Sequence, residues 1–165
     1  MDQAQGAIDA ARAAGAERYA ASEYAAATEA LKNSNAAAST GDYRLALNLA
    51  LESHEHAENA ARATADTKAQ VRAEVERAMA EIAALMARVN TRMAAAQRAR
   101  VPARQLRQPA DAIAGINDDV QKAGEAIKAN DYLGARQALE GVKERIEKAL
   151  AAVDAAMRPQ SRRRR

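Results

Sequence analysis

The chain has 165 residues, with 48 Ala but only 23 Leu, Ile and Val together, and it contains no Phe, Trp or Cys. The absence of Cys excludes disulfides and thiolate metal sites, and the small number of bulky side chains predicts a thin core. The formal net charge is +3, but Arg158 and Arg162 to Arg165 contribute five positive charges, so residues 1–157 sum to −2. The basic character therefore belongs to the end of the chain.

Two helices are predicted before residue 42. The first covers about 2–14 and stops at Gly15, because glycine readily adopts the left-handed conformation that ends many helices. Ser22 is predicted to cap the second helix through its side-chain oxygen, and residues 39–41 end it. The predicted inward residues of the second helix are Tyr24, Ala27, Leu31 and Ala38.

A long helix is predicted from Asp42 to Arg100, a stretch without Gly or Pro that strong helix formers dominate. Asp42 is its predicted cap. Its predicted inward stripe is Tyr43, Ala46, Ala50, Ser53, Ala57, Ala60 and Thr64, followed at heptad spacing by Val75, Met79, Ile82, Met86, Val89 and Met93. We expect the helix to continue across Thr64–Lys68, and a kink there is the alternative.

The second half of the chain repeats this plan. Val101-Pro102 ends the long helix, and Pro109 suits the first position of the next one. Asp131 is predicted to cap a single last helix that closes before Pro159. The predicted inward residues are Ile113, Ile116, Val120 and Ile127 in the first of these helices, and Tyr132, Ala135, Leu139, Val142, Ile146, Leu150 and Val153 in the last.

An offset of 89 residues superimposes the two halves. Gly41-Asp42-Tyr43-x-x-Ala46 then falls on Asn130-Asp131-Tyr132-x-x-Ala135, and Leu31 falls on Val120. Matching caps and apolar positions indicate a duplicated supersecondary unit. The predicted fold is all-α, with two antiparallel three-helix units, 1–66 and 67–158, joined by the long shared helix and followed by a disordered basic tail, 159–165.

The corner Gly41-Asp42-Tyr43-x-x-Ala46 resembles the helix pairs of tetratricopeptide proteins. The region from Ala7 to about Ala63, through 15–23, 30–31 and 41–43, resembles the uncharacterised Ala-rich helical domain of Gram-negative envelope lipoproteins. This resemblance implies a periplasmic setting with outer-membrane attachment. The lipidated Cys of those lipoproteins is absent, as it would be from a chain supplied without its leader. The two-unit plan also resembles, in architecture only, a component of a bacterial sterol-transport system.

A possible ligand site follows from the small side chains of the interior. The Ala stripe of the first half leaves a slot unless the helices approach closely, and flexible Met side chains accept variable apolar ligands. An elongated apolar lipid suits such a slot, and an ordinary bundle core is the alternative. The predicted ligand-binding residues are Tyr24, Leu31, Met79, Ile82, Met86, Val89, Met93 and Ile116.

Other functional patterns are weak. His54 and His56 lie two residues apart, roughly 200° around a helix, so they do not form a metal pair. Nothing indicates a nucleophile and base, so neither an enzyme nor a cofactor site is predicted. Six arginines between Glu81 and Asp111 suit solvation, helix-dipole compensation or a phosphate-rich surface, but nucleic-acid motifs are absent.

The small-residue interior and the Met stripe favour a non-enzymatic component that holds an apolar lipid between helices, and the resemblances imply that it is periplasmic and that the lipid is sterol-like. Envelope transport proteins or the inner leaflet of the outer membrane would then be its partners. The alternative is a non-catalytic helical adaptor or scaffold that docks proteins at the cell envelope through exposed helix faces. Close helix axes favour the adaptor, whereas splayed axes favour the lipid carrier.

Overall fold

The structure is a computed structural model that describes residues 1–158, which contain helices and no strand. The predicted all-α fold is therefore confirmed for this part of the chain. The predicted tail, 159–165, lies outside the described residues. The helices are α1 (Asp2–Ala14), α2 (Ala16–Tyr19), α3 (Ala21–Ser39), α4 (Tyr43–Arg98), α5 (Ala103–Lys128), α6 (Tyr132–Ala138) and α7 (Val142–Met157).

Residue contacts divide the chain into two compact units. Unit 1 is Met1–Gln70 and unit 2 is Val71–Arg165. Helix α4 contributes to both units, because it is a single helix across Thr64–Lys68, as the sequence predicts. Each unit has its own core cluster.

Unit 1 begins with a helix whose end is stabilised from α4. Gly15 ends α1 in the left-handed conformation, with φ 96°, as predicted. The Lys68 ammonium donates a hydrogen bond to the Ala14 carbonyl and lies 5.3 Å from the centroid of the Tyr19 ring. This cation stabilises the negative end of the α1 dipole and holds α1 against α4.

The predicted cap of the second helix is wrong. The short helix α2 precedes α3, and Ala20 leaves helical geometry with φ −143°. Helix α3 therefore starts at Ala21, one residue before Ser22, and Ala20 at the N-cap supplies no side-chain hydrogen bond. The pattern-based prediction missed α2 because a single helical turn has too few residues to show a periodicity.

Helices α3 and α4 run antiparallel and lie close together in unit 1. The Ser34 hydroxyl donates to the Ala46 carbonyl at 2.7 Å, and the Ser53 hydroxyl donates to the Ala27 carbonyl at 2.8 Å. As the residue number rises along one helix, that of its partner falls, which is the signature of antiparallel packing. A serine side chain is short, so each bond requires the two backbones to approach closely.

The predicted inward stripe of α4 in unit 1 is correct except at its first position. Its buried residues are Ala46, Ala50, Ser53, Ala57, Ala60 and Thr64. Tyr43, however, is 75% exposed, because it is the first residue of α4 and α3 does not cover its ring. In α3, Ala38 is only half-buried and its neighbour Ala37 is buried in its place.

In unit 2, α5 packs against α6 and α7, and α4 runs parallel to the α6–α7 segment. Three ion pairs connect α4 to α6 and α7, and each joins residues that are 62 positions apart. The pairs are Glu74–Arg136 at 3.5 Å, Glu81–Lys143 at 3.1 Å and Arg92–Asp154 at 3.2 Å. A constant offset means that α4 and the α6–α7 segment have the same direction. The hydrogen bond from Lys143 to Glu81 raises the pKa of Lys143.

Two helix boundaries in unit 2 differ from the prediction. Helix α5 starts at Ala103, so Pro109 lies inside it rather than at its first position, and the ring is buried. Pro102 takes the N-cap position instead. The predicted single last helix is interrupted between α6 and α7, where Gly141 has φ 69°. This left-handed conformation cannot continue a right-handed helix, and glycine adopts it without steric cost.

The two Asp-Tyr corners have the same backbone hydrogen bonds. In each, a residue with positive φ, Gly41 at 84° or Asn130 at 58°, follows the helix, as in a Schellman motif. The N–H of each aspartate donates to a carbonyl of the preceding helix, and its carboxylate accepts from an N–H of the following helix. Both predicted caps are therefore confirmed. These bonds are Asp42 N to Ala37 O at 3.0 Å, Asp131 N to Ala126 O at 2.8 Å, Leu45 N to Asp42 Oδ1 at 3.0 Å and Gly134 N to Asp131 Oδ1 at 3.1 Å.

Candidate functional site

The eight predicted ligand-binding residues fall into separate core clusters. Tyr24 and Leu31 belong to the cluster of unit 1, with exposures of 9% and 7%. The other six belong to the cluster of unit 2 or pack against it: Met79, Ile82, Met86, Val89, Met93 and Ile116. Each set lies in the interior of its own unit, packed against other apolar side chains.

Tyr24 connects two helices of unit 1. The Nε of Arg12 donates to the Tyr24 hydroxyl at 2.7 Å, and the guanidinium carbon lies 5.8 Å from the ring centroid. Arg12 also pairs with Glu17 at 3.2 Å. The tyrosine hydroxyl is therefore already bonded within the unit, and its ring packs between α1 and α3.

The space between α3 and α4 in unit 1 is occupied. Ala27, Ala57, Ser34 and Ser53 are all 0% exposed, and both serines bond to the facing helix. A lipid tail would have to separate these helices and break both buried hydrogen bonds, each of which contributes about 1 kcal/mol. The packing therefore gives no support to a ligand slot at these levels.

In unit 2, bulky side chains fill the corresponding interior. Ile82, Val89 and Ile116 are exposed by 3% or less. The three methionines of the predicted stripe, Met79, Met86 and Met93, are half-buried and pack against this cluster. The stripe is thus part of a packed core, which is the alternative that the sequence left open.

An open groove of about 700 Å³ lies beside this core, between α4 and α6. Its apolar lining is Val75, Ala78, Leu133 and Leu139. Its polar lining is Glu74, Arg136, Gln137 and Glu140, and the first two form the ion pair described above. Sequence reasoning missed this groove because its residues come from distant segments and have no common spacing.

The largest exposed apolar side chains form a stripe at the start of α4. Tyr43, Leu47 and Leu51 are spaced four residues apart, and their exposures are 75%, 60% and 59%. Successive members are rotated by roughly 40°, so they share one side of the helix. Leu45 is also exposed, at 47%, but it lies roughly 160° around the helix from Leu47. We call Tyr43, Leu47 and Leu51 the α4 stripe.

The α4 stripe was not identified from the sequence, although a signal was present. Residues 43–51 are apolar at seven of nine positions, with Arg44 and Asn48 as the two exceptions. A helical segment that is apolar on nearly all sides is normally covered on all sides. Among residues 1–158, α3 covers one side of this segment and leaves the α4 stripe exposed.

The histidines of α4 have separate partners. His56 Nδ1 lies 2.8 Å from Glu23 Oε2, and His54 Nε2 lies 3.4 Å from Glu58 Oε1. No group of three His, Asp or Glu residues within 1–158 could hold a metal ion. Among the helices described here, none is both long and apolar enough to cross a bilayer.

No family model, curated protein or solved structure matches this chain.

Proposed function

We propose that this protein is a non-catalytic helical adaptor that docks a partner protein through the α4 stripe. The observation that carries the proposal is the exposure of three large apolar side chains on one side of a helix whose other side is packed. Single exposed leucines are common on protein surfaces, but a contiguous set of this kind marks an interaction site.

The closed interior of unit 1 supports the same proposal. A carrier needs space between its helices, whereas an adaptor needs a rigid scaffold that presents a fixed surface. The serine bonds between α3 and α4 hold α4 in place, and the cap at Asp42 defines where it begins. The stripe therefore stands on a well-ordered helix, which lowers the entropy cost of binding.

The partner surface should be apolar, with charges at its edge. Arg44 and Glu55 are exposed beside the stripe, and neither has an ion-pair partner among residues 1–158. An amphipathic helix or an apolar groove with a mixed-charge rim would match this surface. A second copy of the chain also has these features, and a cross-linked dimer of the tagged chain would identify it.

The test compares Leu47→Glu and Leu51→Glu with the matched control Leu45→Glu. Tagged chains are expressed in the source cells, chemically cross-linked and purified, and the captured proteins are quantified by mass spectrometry. We expect the first two variants to lose a partner that the control retains, because a buried carboxylate in the interface is costly. If all three chains capture the same proteins in equal amounts, the stripe is not a docking site.

A second candidate function is the binding of an apolar lipid, and the α4–α6 groove favours it. The groove has four apolar residues on its floor and a volume in the range of small-molecule sites. Native mass spectrometry of the purified chain tests this candidate. A retained lipid that Ala78→Phe displaces would support it. A periplasmic location with outer-membrane attachment remains the proposed setting for either function.

We also propose that the two units are copies of one antiparallel three-helix unit, related by an offset of 89 residues. The matching corners support this, and so does the burial of equivalent positions in both copies. The buried pairs are Ala27/Ile116, Ser34/Ala123, Ala46/Ala135, Ala50/Leu139, Ser53/Val142, Ala57/Ile146, Ala60/Ala149 and Thr64/Val153. In every pair except Ser34/Ala123, the side chain in unit 2 is as large as its counterpart in unit 1 or larger.

A further inference from the structure

The turn between α4 and α5 is surrounded by arginines. Residues 82–110 contain six arginines and neither a lysine nor an acidic residue. The six are Arg88, Arg92, Arg98, Arg100, Arg104 and Arg107, and all of them are exposed. Helix α4 ends at Arg98 and α5 begins at Ala103, so the last four lie within a few residues of the same turn.

Most of this charge has no ion-pair partner among residues 1–158. Arg92 pairs with Asp154 at 3.2 Å, and Arg107 approaches Asp111 at 3.9 Å. Arg98, Arg100 and Arg104 have no ion-pair partner among residues 1–158. Arginine is the commoner basic residue of the whole chain, 19 against 6 lysines, and it is the only basic residue over 82–110.

The tip of the turn is apolar and exposed. Ala99, Pro102 and Ala103 are exposed between the arginines, while Val101 is half-buried and packs on a small core cluster beneath the turn. Arg100 has φ 57°, which directs the chain sharply from one helix to the next. The turn therefore exposes small apolar residues that alternate along the chain with exposed arginines.

We infer that this tip, Arg98 to Arg104, docks on a membrane surface that contains anionic phospholipids. The guanidinium group binds phosphate oxygens through two parallel hydrogen bonds, which explains arginine rather than lysine. Small apolar residues at the tip can enter the headgroup region while the surrounding arginines contact phosphates. This inference concerns unit 2 and does not depend on the α4 stripe of unit 1.

A membrane suits this surface better than a nucleic acid does. Single-stranded nucleic acids bind on aromatic side chains, and all four tyrosines lie outside residues 98–104. Recognition of a duplex usually places a helix or strand in a groove, whereas here a turn forms the tip. The apolar centre of the tip has no role against phosphates alone but does have one at a lipid interface.

Vesicle co-sedimentation of the full chain tests the inference. The probes are vesicles of phosphatidylcholine alone, or with 30 mol% phosphatidylglycerol, each at about 50 mM and 300 mM NaCl. We expect binding only to the anionic vesicles, with a strong loss at high salt. Arg100→Gln with Arg104→Gln should lower the partition coefficient by about 25-fold, since each arginine near such a surface contributes about fivefold.

Two controls isolate the tip. Arg77→Gln with Lys128→Gln removes the same charge from exposed side chains elsewhere and should leave partitioning within about twofold. A second chain carries Gln at 162–165, which removes the other arginine cluster, and should still bind through the tip. Circular dichroism verifies that every variant remains helical.

Three results would overturn the inference. They are failure to bind anionic vesicles at low salt, equal losses in the tip variant and the charge-matched control, and full loss on replacing 162–165 alone. A 20-base-pair DNA duplex is tested in parallel. If the duplex binds through Arg100 and Arg104 while vesicles do not, the surface is a nucleic-acid site and the membrane assignment is wrong.

Discussion

Units 1 and 2 have the same corner but fill their interiors in different ways. Unit 1 places Ala57 and Ala60 against α3 and joins the two helices through buried serine hydroxyls. Unit 2 places Ile146 and Val142 at its centre and has three surface ion pairs at a constant offset along α4. Two helices that meet through alanines bury little apolar area, so their stability depends on close approach of the backbones. Two helices that meet through isoleucines are stabilised by the larger apolar side chains that they bury.

The two units also differ in which side chains they leave exposed. In unit 1, small buried side chains and two buried serine hydrogen bonds occupy the interface between α3 and α4. The large apolar residues that the interior does not use are on the outside, in the α4 stripe. In unit 2, by contrast, the bulky residues are inside, and the exposed surface at the α4–α5 turn is basic.

The largest expected effect comes from reducing the interior of unit 2. Ile146→Ala removes a fully buried side chain and should lower the free energy of unfolding by about 2–5 kcal/mol, from lost transfer energy and a cavity. Urea denaturation followed by circular dichroism gives this value. A loss below about 1 kcal/mol would mean that the unit 2 core is loosely packed.

The reverse exchange at the equivalent position of unit 1 should also destabilise. Ala57→Ile adds three carbons to a fully buried site between helices that are already in close contact, and should cost about 1–3 kcal/mol. Hydrogen exchange of the α3 amides tests whether the damage is local. If Ala57→Ile stabilises the chain, the interior of unit 1 contains unfilled space and the case for a ligand slot returns.

The two capping aspartates should contribute equally to the stability of the protein. Asp42→Ala and Asp131→Ala each remove the side-chain acceptor at the start of a helix, at a cost of about 1 kcal/mol. Because the corner bonds are the same, we expect the two losses to match within about 0.5 kcal/mol by urea denaturation. A large difference between the two losses of unfolding free energy would show that the corners share a geometry but not an energetic role.

The smallest expected effect is a pH dependence confined to unit 2. Hydrogen bonds from Arg145 and then Lys122 hold the pKa of Asp119 below its usual value. A carboxylate with a lowered folded-state pKa stabilises the protein above its unfolded-state pKa of about 3.9. That stability is lost as the pH falls through the folded-state pKa.

The Asp119→Asn variant checks this sign. Its stability deficit relative to the parent chain should be constant near neutral pH. It should shrink below about pH 4, as the carboxylate takes up a proton first in the unfolded state and then, at lower pH, in the folded state. Acid titrations followed by circular dichroism measure the difference. A deficit that grows as the pH falls would contradict the assigned ion pair.

Much of the fold was predictable because the signals were local. Caps at Asp42 and Asp131, the stop at Gly15 and the buried stripe of α4 depend on nearby residues and on helical periodicity. The errors have equally local reasons. Gly141 breaks the last helix although the apolar periodicity continues across it. Pro109 suits a helix start, yet α5 begins six residues earlier.

The candidate sites were less predictable, because exposure and side-chain contacts depend on tertiary packing. The composition of unit 1 is compatible with a slot or with close packing, and only the serine bonds distinguish the two. Tyr43 was predicted to point inward from its place in the stripe, yet its position beyond the end of α3 exposes it. The arginines at the α4–α5 turn were visible in the sequence, but the apolar tip between them was not.

We propose that a partner protein binds to the outside of α4. The most direct test places a photo-cross-linking amino acid at position 47, with position 45 as the control, in the full chain expressed in its source cells. The claim predicts a protein adduct from position 47 that is absent or much weaker from position 45. Equal adducts from both positions, or adducts to lipid alone, would contradict it.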